Sequence, residues 1–131
     1  MNRVLDAHAL LAYFEKQPGH EIVQAALTRA VEKDSFIQMT TVNFGEVYHV
    51  ILRELGQQKA DEIERIIRTL PIEIIDVDID LAKEAACFMA KYKLSYADCF
   101  AAALAKLRKA ELVTSDKALQ ELKDIIKITC L

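Results

Sequence analysis

Apolar positions along the chain follow two alternating periods. Short runs rich in Val, Ile or Phe predict strands over residues 2–5, 35–39, 72–77, 111–113 and 125–129. Between them the spacing turns helical. Residues 21–32 place Ile22, Ala25, Ala26 and Arg29 on one face, and residues 44–55 do the same with Val47, Val50, Ile51 and Leu55 before a stop at Gly56. Residues 61–70 carry Ile63, Ile66, Ile67 and Leu70 and close at Pro71. Residues 81–91 and 95–109 follow, the second with an almost continuous apolar face. Strands separated by helices of this length predict right-handed crossovers and an α/β fold of three layers, helices covering both faces of a mainly parallel sheet of four to five strands. Ligands of such sheets bind outside the carboxyl ends of the strands, where strand order reverses.

Composition narrows the picture. A chain of 131 residues is expected to form one domain, residues 1–131, and an apolar share of 53% is enough for a core without staples. Only 3 Gly and 2 Pro leave little room for long irregular loops, and no repeat or linker is visible. The cysteines, Cys87, Cys99 and Cys130, are odd in number and widely spaced, which argues against a disulfide framework and a thiolate zinc site. They fit a reducing, cytoplasmic location. Asp6 and His8 interrupt the first apolar stretch, so no signal peptide is expected, and no apolar run approaches the roughly 20 residues of a membrane span. Net charge is −3, without the basic surplus of many nucleic-acid binders, although a local basic patch or a bound divalent cation is compatible with it.

Four acids stand out by position. Asp6 ends the first strand, and Asp116 follows the strand at 111–113. Glu46 and Asp98 are each expected in the first turn of a helix. Every one has a plainer alternative: Asp6 as a helix N-cap, Glu46 as partner of Asn43 in a capping box, Asp98 likewise with Ser95, and Asp116 as a turn acid. Thr114 and Ser115 supply hydroxyls that either cap or orient the Asp116 carboxylate. In a parallel sheet, strand ends and the helix starts that follow them share one edge, although the helix of Asp98 follows another helix and is placed with less force. Carboxylates crowded there repel one another unless a cation neutralises them, and magnesium or manganese suits such oxygen donors. No Cys or His accompanies the acids at zinc-like spacing.

At these residues the sequence resembles the PIN-domain family of metal-dependent ribonucleases, with the small toxin nucleases of VapBC-type toxin–antitoxin pairs as the nearest group. The stretches that carry the resemblance are Val4-Leu5-Asp6, Leu94-Ser95-Tyr96-Ala97-Asp98-Cys99 and Leu112-Val113-Thr114-Ser115-Asp116, with Glu46 at the place of the family's glutamate. Element order and acid spacing match over essentially the whole chain. The resemblance implies a PIN-like fold in which Asp6, Glu46, Asp98 and Asp116 are the metal-binding and catalytic acids and Thr114 supports Asp116. It implies a Mg2+- or Mn2+-dependent endoribonuclease that hydrolyses RNA with metal-activated water, leaving a 5′-phosphate and a 3′-hydroxyl. A cognate antitoxin and a homodimer or higher oligomer are the implied partners. His8 departs from the pattern, since family members often carry Ser or Thr two residues after the first aspartate. It either hydrogen-bonds near the metal or a phosphate, or takes a structural partner on the first helix.

Other features of the chain have plainer readings beside functional ones. Asp76, Asp78 and Asp80 alternate like a calcium loop, but Leu81 and Cys87 stand where Gly and Glu are required, so a helix cap near Leu81 is expected. Lys91, Lys93, Arg108, Lys109 and Lys117 flank the Asp98 and Asp116 segments as an RNA-steering patch or as ordinary solvated faces. Tyr13, Phe14, Phe44, Tyr48, Tyr92 and Tyr96 lie near the motifs, as core or as a groove for a partner. A receiver-type signalling domain lacks its paired acids and its Lys-Pro here, and a haloacid dehalogenase-type phosphatase lacks D-x-D at Asp6-Ala7-His8. A PIN nuclease of housekeeping RNA processing and a catalytically silent PIN-like binding module remain as alternatives.

Overall fold

The computed structural model describes residues 2–131. Five strands, β1 (Arg3–Leu5), β2 (Ile37–Thr40), β3 (Ile72–Ile75), β4 (Glu111–Thr114) and β5 (Ile128–Cys130), form a single sheet in the order β3-β2-β1-β4-β5. Every pairing is parallel, with Val4 opposite both Gln38 and Leu112. The chain therefore starts at the centre, winds outward through β2 and β3, then returns across β1 to build β4 and β5. Strand order reverses between β1 and β4. Because all strands point the same way, Leu5, Thr40, Ile75, Thr114 and Cys130 mark the carboxyl edge and Arg3, Ile37, Ile72, Glu111 and Ile128 the amino edge.

Alternation along the strands divides the core into two layers. Leu5, Met39 and Val113 face α1 (Ala7–Phe14), α2 (His20–Glu32), α3 (Thr41–Leu55) and α4 (Gln57–Thr69). Val4 and Leu112 face α5 (Ile79–Lys91), α6 (Tyr96–Arg108) and a 3-10 helix, Lys117–Leu122. The α6 run Ala101-Ala102-Ala103-Leu104-Ala105 is wholly buried, because side chains this small let the helix lie against the sheet while α5 covers it outside.

Several expected boundaries shift for local reasons. The last strand forms at Ile128–Cys130 rather than 125–129, since Ile126 turns into the core and Ile125 outward. Helix α3 begins at Thr41, not Phe44: the Thr40 hydroxyl accepts from Asn43 N–H (3.0 Å), so Thr40 and not Asn43 is the N-cap. Asp78 caps α5 as expected, accepting from Leu81 N–H at 2.8 Å. No helix among the described residues is long and apolar enough to cross a membrane.

Candidate metal centre

The switch point brings Asp6 and Thr114 side by side. Asp6 lies just past β1, with the extended backbone of an N-cap, and its Oδ1 accepts from Ala9 N–H at 2.8 Å. Its Oδ2 accepts a short hydrogen bond from the Thr114 hydroxyl. Asp6 is fully buried. Burial pushes its carboxyl up to about 6, against the opposing pull of the Thr114 and Ala9 bonds and of His8.

Thr114, expected to support Asp116, does so only through the backbone. Its hydroxyl oxygen accepts from Asp116 N–H at 2.9 Å while its proton goes to the Asp6 carboxylate. A hydroxyl has one proton to donate, and the buried acid takes it. Ser115 is half-buried and makes no hydrogen bond to any of the four acids among the described residues.

Asp116 caps the 3-10 helix, accepting from Ala118 N–H at 3.0 Å. Asp98 sits in the first turn of α6, where Ser95 is the N-cap and accepts from Asp98 N–H at 3.2 Å. The cap accounts for the backbone of Asp98 but not for its carboxylate, whose Oδ1 is buried without a partner. Burial, then the neighbouring Asp116 and Asp6 charges, push the Asp98 carboxyl up to about 8. A hydrogen bond from that protonated carboxyl holds Asp116 below the usual carboxylate range, with Ala118 N–H and His8 adding to the effect.

His8 enters this group. Its Nε2 lies 3.8 Å from Asp98 Oδ1 and 3.6 Å from Asp116 Oδ2, beyond hydrogen-bond range of both. One ligand atom from each of His8, Asp98 and Asp116 falls within 4.8 Å of the others. Position on the first turn of α1, two residues past Asp6, is the sequence signal that carries it there.

Glu46 stands apart. With Thr40 as N-cap it belongs to the second turn of α3 rather than the first, and it lies outside the His8, Asp98 and Asp116 group. Asn43, one turn earlier on the same helix, is fully buried; it accepts from the Thr40 hydroxyl and donates from Nδ2 to Ala97 O at 3.0 Å. This bond ties α3 to the start of α6 and has no signal in the sequence, where Asn43 reads as a cap. Glu46 Oε1 is buried and, like Asp98 Oδ1, has no partner.

A partnerless buried carboxylate oxygen on Asp98 beside His8 and Asp116, with a second such oxygen on Glu46, is a costly arrangement for a protein by itself. A hard divalent cation satisfies such oxygens, and an acid-dominated donor set suits magnesium or manganese. His8, Asp98 and Asp116 are the residues placed to hold one, with Asp6 joined through Thr114 and by its charge.

The basic residues divide. Lys93 and Lys117 adjoin the acid-bearing segments, whereas Arg108 ends α6 and Lys109 lies with Lys127 near the start of β5, at the amino edge. Lys91 lines a hollow with Lys106, eight residues along α6 from Asp98. Those three do not form a patch at the acids. A helix of about 1.5 Å rise per residue carries its last turn well away from its first.

Residues 3–125 match the PIN domain family. Among relatives, "Ribonuclease VapC" of Mycolicibacterium smegmatis is 28% identical over 122 residues, covering 88% of this chain and 92% of its own length. Among solved structures, VapBC2 from Rickettsia felis bound to a promoter DNA fragment superposes with a TM-score of 0.76 at 16% identity, over 100% of this chain and 99% of that one. A toxin–antitoxin complex from Klebsiella pneumoniae gives 0.72 at 18%, covering 98% and 96%. The structural likeness shows a shared fold, and the match over nearly the whole sequence shows more: this chain belongs to the PIN-domain family.

Proposed function

We propose that the protein is a Mg2+- or Mn2+-dependent endoribonuclease, one nuclease domain over residues 1–131, acting in the cytoplasm as the toxin of a type II toxin–antitoxin pair. The observation that carries the reading is the buried, partnerless Asp98 Oδ1 beside His8 and Asp116 near the reversal of strand order, with Glu46 Oε1 a second such oxygen on α3.

In this reading Asp98 and Asp116, with Asp6 and Glu46, hold the cation and do the catalytic work. Thr114 positions Asp6 and fixes the Asp116 backbone. His8 supports the centre through Asp98 and Asp116. A bound divalent cation supplies activated water and neutralises charge building on the phosphoryl oxygens. A carboxylate of the cluster accepts the water's proton. Water rather than the ribose 2′-hydroxyl is the nucleophile, so cleavage leaves a 5′-phosphate and a 3′-hydroxyl. The ribonuclease name of the curated relative supports RNA as substrate, and the toxin–antitoxin complex among the structural neighbours supports an antitoxin partner; a homodimer or higher oligomer belongs to the same reading.

Purified protein is incubated with structured RNAs, with magnesium or with chelator. Cleavage that needs magnesium and is lost in Asp6→Ala and Asp98→Ala is expected. No metal-dependent cleavage, or equal cleavage by those variants, would sink the enzyme reading. A neighbouring short reading frame for a DNA-binding protein that co-purifies with this chain tests the toxin role.

A further inference from the structure

The amino edge of the sheet is electrically unlike the carboxyl edge. Cations gather where helices run back into strands: Arg29 in the last turn of α2, Lys33 at its C-cap, Arg3 at the start of β1. Arg3, Arg29 and Lys33 line one cavity of about 210 Å³ together with Asn2, Ser35 and Phe36, and no acid shares its wall. Arg3 is paired with Glu111 at 3.1 Å. Neither Arg29 nor Lys33 has a carboxylate partner among the described residues. Cations in a last helical turn complement the helix dipole, and this alone accounts for Arg29 and Lys33 as charges. It does not account for Phe36, which keeps 61% of its surface exposed in the same wall.

The loop that presents these groups is held. Ser35 N–H donates to Ala30 O at 2.8 Å and Asp34 N–H to Val31 O at 3.1 Å, with Asp34 in the left-handed region at φ 50°. Past Arg3 and Arg29 the groove continues into a second cavity of about 380 Å³, where Glu21 and Glu111 join the wall beside Ile22, Val113 and Thr129. Unpaired cations beside an exposed aromatic face are what a nucleotide needs: charge for the phosphate, a π-surface for the base.

We propose that this groove binds a nucleoside phosphate, the phosphate between Arg29 and Lys33 and the base on Phe36. The ligand is either a free nucleotide or one residue of a single-stranded RNA, and Glu21 and Glu111 disfavour a second phosphate in the adjoining cavity. The site lies at the amino edge, opposite the acids, and rests on none of the groups assigned to the metal centre.

The test is binding by the full chain with chelator present throughout, so that no cleavage is required and a failure of the nuclease reading leaves it intact. The anisotropy of a labelled uridine pentanucleotide is followed at low salt, with UMP, AMP and inorganic phosphate as competitors. Double substitution Arg29→Gln with Lys33→Gln is expected to weaken binding at least tenfold and to lower the salt dependence of log K by about 0.7 for each phosphate charge no longer neutralised. Phe36→Ala is expected to weaken it about fivefold or more. The urea midpoint of Phe36→Ala should match wild type, since the ring is largely exposed, and the double variant should lose only the small helix-dipole contribution of its two charges. Displacement by mononucleotides at concentrations near those of the pentanucleotide identifies a free nucleotide, and displacement only by oligonucleotides identifies a strand; either supports the site. Unchanged affinity in the double variant or in Phe36→Ala, or no binding by the wild type, overturns it.

Discussion

Replacing Asp98 by asparagine should stabilise the metal-free protein at high pH while destroying its response to metal. Asparagine has the shape of the neutral acid and can still donate to Asp116, so the two proteins should be alike only below about pH 4, with the variant already ahead at pH 6. The folded-state Asp98 carboxyl titrates at about 8 against an ordinary 3.8. A raised carboxyl binds more protons folded than unfolded, so its contribution is fully present below about pH 4 and is lost as pH rises through about 8. Each pH unit in that window costs about 1.4 kcal/mol, which between pH 6 and 8 comes to roughly 3 kcal/mol. Coulomb's law gives a similar scale. Two unit charges at the 4.8 Å limit of the cluster repel by about 3 kcal/mol at an effective dielectric of 20. That is an upper value, because Asp116 keeps 26% of its side chain in solvent. Asp116, held low, changes protonation below this window, and Asp6, raised to about 6, loses its proton near pH 6 in both proteins. The assay is urea unfolding of wild type and Asp98→Asn at pH 6 and pH 9 in chelator, repeated with magnesium. The variant should gain about 2–3 kcal/mol over wild type between the two pH values, and magnesium should stabilise wild type alone. An advantage that does not grow with pH, or equal stabilisation of both proteins by magnesium, would refute the reasoning.

Other consequences can be checked separately. Thr114→Val removes the donor to the buried Asp6 carboxylate and the acceptor of Asp116 N–H, and should cost about 2–4 kcal/mol in chemical denaturation, with Thr114→Ser retaining most of the stability; a loss under about 0.5 kcal/mol would show that the bond carries no net stability. Because Asp98 is held protonated near neutral pH, metal binding at pH 7 should release close to one proton, and calorimetry in buffers of different ionisation heat would measure it. Binding without release at pH 7 would contradict that protonation state. Glu46→Gln should weaken magnesium affinity by at least about tenfold with no loss of metal-free stability, since Oε1 has no partner to lose; unchanged affinity would remove Glu46 from the centre. Gly19 has φ 91°, and a Cβ there would lie 2.6 Å from Leu131 Cβ, so Gly19→Ala should cost at least about 1–2 kcal/mol in urea unfolding, and an unchanged midpoint would count against a fixed C-terminus.

Periodicity was sufficient for the frame. Val4 and Leu5 face opposite layers because strand side chains alternate, and the all-parallel sheet follows from helices lying between strands. Asp6 after β1 and the Ser95 cap of α6 were equally legible, being relations within a few residues. Contacts across the chain were not. Thr114 donates to Asp6 over a separation of 108 residues, a contact the expected support of Asp116 did not include, while that support is present through the Asp116 N–H. His8 came to face Asp98 and Asp116 only because the first turns of α1 and α6 and the segment after β4 meet at the carboxyl edge of the sheet. Glu46 lost its first-turn place when Thr40 took the cap, and Arg108 and Lys109 were drawn from the acids to the opposite edge by the length of α6. The four acids were thus named by the sequence, each with a capping alternative that the structure shows to be real for Asp6 and Asp116. Tertiary structure decided which of them crowd together and which oxygens were left without a partner, because desolvation and repulsion depend on distances between segments, which no pattern along a single segment encodes.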